Sequence, residues 1–285
     1  MKKLYCHLLP VLLCAALLLS GCGGSAPAPA ALPETEGTEL EVYCFSAGKA
    51  DAFLLTTAGS AVLIDAGEKG FGQEILELLA EKGVTALDYL IITHFDQDHV
   101  GGAAKVINNF PVKAVLQSNR PKDSEEYEKY TKALGNAGIE PVTVRETLSL
   151  LLDGVAYTVD PPRKNSYAED SSNNSSLIVS VVNGKNRLLF TGDAQDARLA
   201  ELLSGQGTDY DFLKVPYHGC WLENLEELLV FSTPEYAVIT SSEEQAEDHR
   251  TLDLLAEREI ETFLTRSGPV LVTCDGETLE VAYAA

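Results

Sequence analysis

The chain has 285 residues, a formal net charge of −22 from 43 acids against 21 bases, and five His. The length can bury a sizeable core, and 45% hydrophobic with 22% charged residues excludes whole-chain disorder. The acidic excess repels polyanions, which argues against sequence-independent nucleic-acid binding and against broad adhesion to anionic lipid headgroups.

At the N-terminus, Lys2 and Lys3 precede an almost unbroken apolar run from Leu8 to Leu19. The run is shorter than the ~20 residues a spanning helix needs and reads as a signal-peptide core. It ends in Leu19-Ser20-Gly21-Cys22, which resembles the lipobox of bacterial lipoproteins. That resemblance implies cleavage before Cys22 and lipidation of its thiol. The expected plan is a signal peptide over 1–21, lipidated Cys22 with a flexible tether over 22–38, and one folded domain over 39–285. Such a chain would touch the membrane through its lipid alone, on the extracytoplasmic side of the cell envelope. Cys44, Cys220 and Cys274 remain in the folded part. Three is odd, so no full disulfide framework is expected, although one pair is compatible with the compartment.

Glu39–Phe45, Ala52–Thr57 and Ala61–Asp65 are short β-prone runs parted by turn residues, an antiparallel meander. Phe71–Glu81 has helical apolar spacing and a closing Gly83. Leu87–Thr93 reads as a buried strand running into His94-Phe95-Asp96-Gln97-Asp98-His99 and a helix to about Asn108. Val112–Leu116 is a strand, Ser124–Leu134 a helix, and Pro141–Val159 holds two or three strands. Pro161–Asn174 is a polar loop. Leu177–Val182 and Arg187–Phe190 flank Asn183-Gly184 as a hairpin, followed by a helix over Ala194–Leu203. Phe212–Val215 is a strand, Leu222–Leu229 and Arg250–Glu257 are helices, and Val270–Thr273 with Thr278–Ala282 form a closing hairpin. Two sheets with helices outside both would accommodate this order.

Four His lie beyond the signal segment, and three of them directly follow strands. His94, Asp96, Asp98 and His99 fall within six residues after one strand, and Asp193 and His218 take the same kind of position after later strands. Strand ends are rigid and the loops beyond them free to curl, so alternate side chains can converge on one point. Five to six N and O donors from strand ends match a two-metal hydrolytic site. Any one of these residues alone would read as a solvated loop residue or helix cap, as Asp98 could for the helix near Val100.

The ordered set Ile64-Asp65-Ala66-Gly67, Thr93-His94-x-Asp96-x-Asp98-His99-x-Gly101-Gly102, Asn173-x-x-Ser176-Leu177, Thr191-Gly192-Asp193 and Pro216-Tyr217-His218-Gly219 resembles the metallo-β-lactamase superfamily. More closely it is similar to the hydrolase domain of ComEC-like competence proteins, here standing alone as a lipoprotein. The resemblance implies a four-layer αββα sandwich with a dinuclear site at one edge. It implies one metal on His94, Asp96 and Asn173, a second on Asp98, His99 and His218, and a bridging Asp193. Asp65 and Ser176 would support these ligands from behind. Asp96 stands where the commonest signature has His, which hardens the first position and leaves room for Mn as well as Zn, or for one loosely held ion. Ala47-Gly48-Lys49-Ala50-Asp51-Ala52 stands where the branch has Val-Gly-Gln-Gly-Asp-Ala; Tyr217 replaces a His and Cys220 a Ser. Cys220 reads as packing or as a soft contact near the site. Lys214 reads as structural, inside the strand before His218. His249 is either a proton donor to the leaving oxygen or an N-terminal helix residue in an acidic loop.

The expected function is a metal-dependent hydrolase of phosphoesters, a phosphodiesterase or nuclease-like enzyme, in which a water shared by two divalent ions attacks phosphorus and Asp98 assists. The charge favours a small phosphoester or nucleotide over long nucleic acid, since Arg163, Lys164, Lys185 and Arg187 form the one conspicuous basic cluster. Alternatives are a lactam, lactone or thioester hydrolase of the same fold, or a non-enzymatic metal-binding lipoprotein. No protein partner is inferable.

Overall fold

The computed structural model describes residues 34–169 and 172–284. The signal segment and Cys22 lie outside the described residues. Strands β1 (Leu40–Cys44), β2 (Phe53–Thr56) and β3 (Ala61–Ile64) form the expected antiparallel meander. Helix α1 (Gly72–Glu81) then crosses to β4 (Leu87–Ile92), α2 (Gln97–Val100) and α3 (Ala103–Asn109) cross to β5 (Val112–Gln117), and α4 (Glu125–Ala137) crosses to β6 (Val142–Thr143). From β3 to β6 all neighbours are parallel. The chain next changes sheet. β7 (Leu148–Leu152), β8 (Val155–Asp160), β9 (Ile178–Asn183) and β10 (Asn186–Phe190) are antiparallel, so the segment 141–160 holds three strands divided between two sheets.

Helix α5 (Asp196–Leu203) leads to β11 (Phe212–Lys214), α6 (Leu225–Ser232) to β12 (Tyr236–Ile239), and α7 (His249–Glu257) to β13 (Glu261–Leu264), with β10 to β13 all parallel. β12 and β13 were not anticipated. The hairpin of β14 (Val270–Cys274) and β15 (Leu279–Tyr283) returns to the first sheet and pairs with β1. The orders are β15-β14-β1-β2-β3-β4-β5-β6 and β13-β12-β11-β10-β9-β8-β7.

Period-two alternation assigns each strand side chain to a layer. Phe53, Leu55, Val62, Ile64 and Ile91 meet Val179, Val181, Leu188, Phe190 and Phe212 between the sheets. The alternate residues Leu54, Leu63, Leu90 and Ile92 pack instead on Ile75, Leu79, Val106 and Leu134 of the first helical layer. In the second half Leu189, Leu213 and Ala237 face Leu199, Leu228 and Leu255. The result is the αββα sandwich, and each fully buried large apolar side chain contributes roughly 1.5–3 kcal/mol. Cys44, Cys220 and Cys274 are free; Cys44 and Cys274 sit at opposite ends of the β1–β14 pair. Among the described residues, no helix is long and apolar enough to cross a membrane.

Candidate metal centre

Both parallel half-sheets point their carboxyl ends to the same edge, where α/β folds place their ligands. Asp65 follows β3, the His94–His99 loop follows β4, Asp193 follows β10, His218 follows β11 and Thr240 follows β12. The backbone turns sharply there. Asp65, Tyr217 and His218 have φ of 55°, 50° and 52°, a left-handed conformation rare for residues with a Cβ and typical of functional turns. Gly101 and Gly102 let the His loop dock on the β3 loop. A Cβ on Gly102 would lie 2.2 Å from the Ala66 carbonyl oxygen, and one on Gly101 would lie 2.4 Å from the Lys69 nitrogen. Ala66 N–H donates to the His99 carbonyl at 2.8 Å and closes that contact.

Asp98, His99, Asp193 and His218 converge, with one donor atom from each within 4.8 Å of all the others. His218 Nε2 is 3.1 Å from Asp193 Oδ2 and 3.3 Å from Asp98 Oδ2, and His99 Nε2 is 3.4 Å from Asp193 Oδ2. The His94 ring stands 4.1 Å from that of His99, centroid to centroid.

Hydrogen bonds fix the tautomers of all three rings. His99 Nδ1 donates to Asp65 Oδ2 at 2.7 Å, and that oxygen also accepts from Thr93 Oγ1 at 2.6 Å. Having given its proton to Asp65, Thr93 Oγ1 can only accept from His94 Nδ1, at 3.2 Å. His218 Nδ1 donates to the Thr240 carbonyl at 3.1 Å. Each Nε2 is therefore turned toward the cluster, and all three Nε2 atoms are buried without a hydrogen-bond partner. The orphaned His99 and His218 nitrogens beside two carboxylates fit a divalent cation, which would take the place of a proton there and is the group this donor set is built to hold. Burial, then the neighbouring His99, pulls the His94 imidazole down to about 4, so it stays neutral. Burial also lowers His99, but Asp193, Asp65 and Asp51 outweigh it and hold the ring well above its ordinary value. The cluster is thus strongly cation-attracting.

A second, buried tier supports these ligands. Lys214 Nζ lies 2.6 Å from Asp51 Oδ2 and 3.4 Å from Asp193 Oδ1, and donates to the Gly192 carbonyl at 2.8 Å. Thr240 Oγ1 donates to Asp51 Oδ1 at 2.6 Å, tying the His218 support to the same carboxylate. Ser176 Oγ accepts from Asp193 N–H at 3.2 Å and sits 3.4 Å from His94 Nδ1. Asp51 and Thr93 lie within runs quoted from the sequence but carry no assigned role there, and Thr240 lies outside them. The available signal was a lone acid in Ala50-Asp51-Ala52-Phe53 and a lone cation in Phe212-Leu213-Lys214-Val215, two opposite charges each stranded in an apolar run.

Other expected residues stand apart. Asp96 Oδ1 is 3.8 Å from His94 Nε2 and is bonded to Lys122 Nζ and Ser172 Oγ. Asn173 opens a one-turn 3-10 helix, and among the described residues no hydrogen bond joins its side chain to the cluster; the buried neighbour Asn174 accepts from Arg198 N–H. Cys220 meets Lys49 Nζ at 3.6 Å. His249 is the first residue of α7, its side chain 83% exposed and 3.5 Å from the Asp248 carboxylate. This placement lends no support to His249 as a proton donor.

A family model described as the metallo-beta-lactamase superfamily matches residues 46–241, which span every ligand. The chain belongs to the metallo-β-lactamase superfamily. Its curated relatives put it on the ComEC-like branch. "ComE operon protein 3" of Bacillus subtilis is 29% identical over 203 residues, covering 68% of this chain and 25% of that protein. "Recombination protein 2" of Haemophilus influenzae is 27% identical over 206 residues, covering 70% and 24%. The chain thus spans about a quarter of the length of these relatives. Among solved structures, the metallo-beta-lactamase fold protein YhfI from Bacillus subtilis shares the fold with a TM-score of 0.55 at 11% identity, covering 80% of this chain and 98% of that one. The superfamily fold and the Asp/His cluster make this chain a hydrolase with a divalent-metal site.

Proposed function

We propose that the chain hydrolyses phosphoesters, with a small phosphodiester or nucleotide as substrate. The observation that carries this reading is the convergence of the His99 and His218 Nε2 atoms with the Asp98 and Asp193 carboxylates at the open edge of the sandwich. A divalent ion there, Zn or Mn, would supply Lewis acidity that acidifies water and offsets charge on a phosphoryl oxygen. Asp98, His99, Asp193 and His218 would hold it. Asp65, Thr93 and Thr240 engage the three Nδ1 atoms and so keep each Nε2 turned toward the site. Asp98 is the most solvent-open of the four, and His218 and His99 outweigh its partial burial to keep it ionised. It would orient the attacking water and accept its proton.

Relatives named for competence and recombination support phosphodiester chemistry. The formal charge of −22 supports a short substrate, because long DNA is held by many neutralising cations. Nor do the basic residues at 163–187 form one free patch. Lys185 pairs with Glu277, and the Arg163 guanidinium bonds Ser204. The test is turnover of bis-nitrophenyl phosphate by metal-loaded protein. His99→Ala and Asp193→Ala should each reduce it by at least about a hundredfold. Activity unmoved by either change, or comparable nitrocefin turnover, would overturn the reading.

We also propose lipid anchoring through Cys22 on the extracytoplasmic face. Cys22→Ser should move the protein from the membrane fraction to the soluble fraction. Retention in membranes would refute the anchor.

A further inference from the structure

Beside the four-donor cluster lies a second and unequal position. His94 offers a buried, unpartnered Nε2, and Asp96 Oδ1 is 3.8 Å from it. Those two groups would share a second cation, yet that same oxygen already carries the Lys122 ammonium at 2.7 Å and the Ser172 hydroxyl. Lys122 arrives from the loop between β5 and α4, its side chain 38% exposed and that of Asp96 25% exposed. A divalent ion would need a carboxylate oxygen at about 2.0–2.2 Å, which an ammonium on the same oxygen opposes by both space and charge. Among the described residues, the only lysine contact around Asp98, His99, Asp193 and His218 is Lys214, which lies 3.4 Å from Asp193 Oδ1 and leaves Oδ2 turned to the imidazoles.

We propose that Lys122 and a second divalent cation are alternative occupants of Asp96. The chain then takes one ion tightly at Asp98, His99, Asp193 and His218, and a second only weakly at His94 and Asp96. The inference rests on the metal-hydrolase reading and adds the residue that sets occupancy of the second position. A half-exposed lysine on a loop has room to swing away when displaced. Its ammonium would then stand at the mouth of the site, free to meet an anionic substrate group. Arrival of a second ion and capture of a phosphoester would thereby favour one another.

The experiment is titration of the metal-free full chain with Mn²⁺, followed by calorimetry and by metal analysis after desalting. Wild type should retain one equivalent, with a second that binds more weakly. Lys122→Met should strengthen the second equivalent about five- to tenfold and leave the first unchanged. Lys122→Arg, which keeps the charge, should leave the second weak, and Asp96→Asn should abolish it in either background. Two equivalents of equal affinity in wild type, or a second equivalent indifferent to Lys122→Met, would overturn the proposal while leaving the hydrolase reading intact. Failure to take up any ion would instead overturn that reading, and this proposal with it.

Discussion

Lys214 is fully buried, and so is the Asp51 carboxylate 2.6 Å away. Burial alone would lower the lysine pKa, but Asp51 and Asp193 outweigh it and keep the ammonium charged. Removing one partner of such a pair leaves an uncompensated charge in a low dielectric. Lys214→Met should therefore destabilise the metal-free protein by about 3–5 kcal/mol in denaturant unfolding, and the double variant Asp51→Asn/Lys214→Met should recover a large part of that loss. Purely additive losses would show that the two residues are not coupled. At this scale the sequence was informative wherever donors lie close together in the chain, as in His94-x-Asp96-x-Asp98-His99. It was silent where the partner is remote. Asp51 and Thr240 are 189 residues apart, and neither has a neighbour in sequence that announces the other.

The elements were legible where period and punctuation agree. Helix α4 starts after Ser124, whose Oγ accepts from Tyr127 N–H, and ends at Gly138 with φ 66°. Ser124→Ala should cost about 1 kcal/mol and lower the melting temperature by a few degrees. An unchanged melting temperature would show that the cap contributes nothing. Helix α6 begins three residues later than its apolar pattern suggests because Asn224 is held outside it. Its N–H donates to Asp196 Oδ1 and its Nδ2 to the Asp196 carbonyl, both at 2.9 Å. β12 and β13 escaped detection for different reasons. Tyr236–Ile239 is only four residues long and lies just behind Pro234, whereas β13 opens with Glu261-Thr262, polar residues that an edge strand tolerates. Neither shows the length or alternation that marks a strand in isolation, and only pairing, of β12 with β11 and of β13 with β12, defines them.

For the whole molecule, the layer plan followed from alternating strands and helices, whereas the assignment of strands to sheets did not. β6 and β7 are neighbours in sequence but edges of different sheets, and only the inter-sheet core decides that. The ligands are divided in the same way. Asp98 and His99 hang from the first sheet, Asp193 and His218 from the second, and the Asp51–Lys214 pair spans the two. Stripping divalent ions with a chelator should lower the melting temperature of the entire domain in one transition. Restoring an ion at a thousand times its dissociation constant should return about 4 kcal/mol. A melting temperature unaffected by chelation would contradict this.

That division also bears on biogenesis. The four-donor cluster takes Asp98 and His99 from one half and Asp193 and His218 from the other, so that site exists only in the docked sandwich. If the proposed anchoring through Cys22 holds, the chain would complete that site only after both halves have closed on each other outside the cytoplasm. The metal supply of that compartment, rather than that of the compartment of synthesis, would determine which cation the finished enzyme carries.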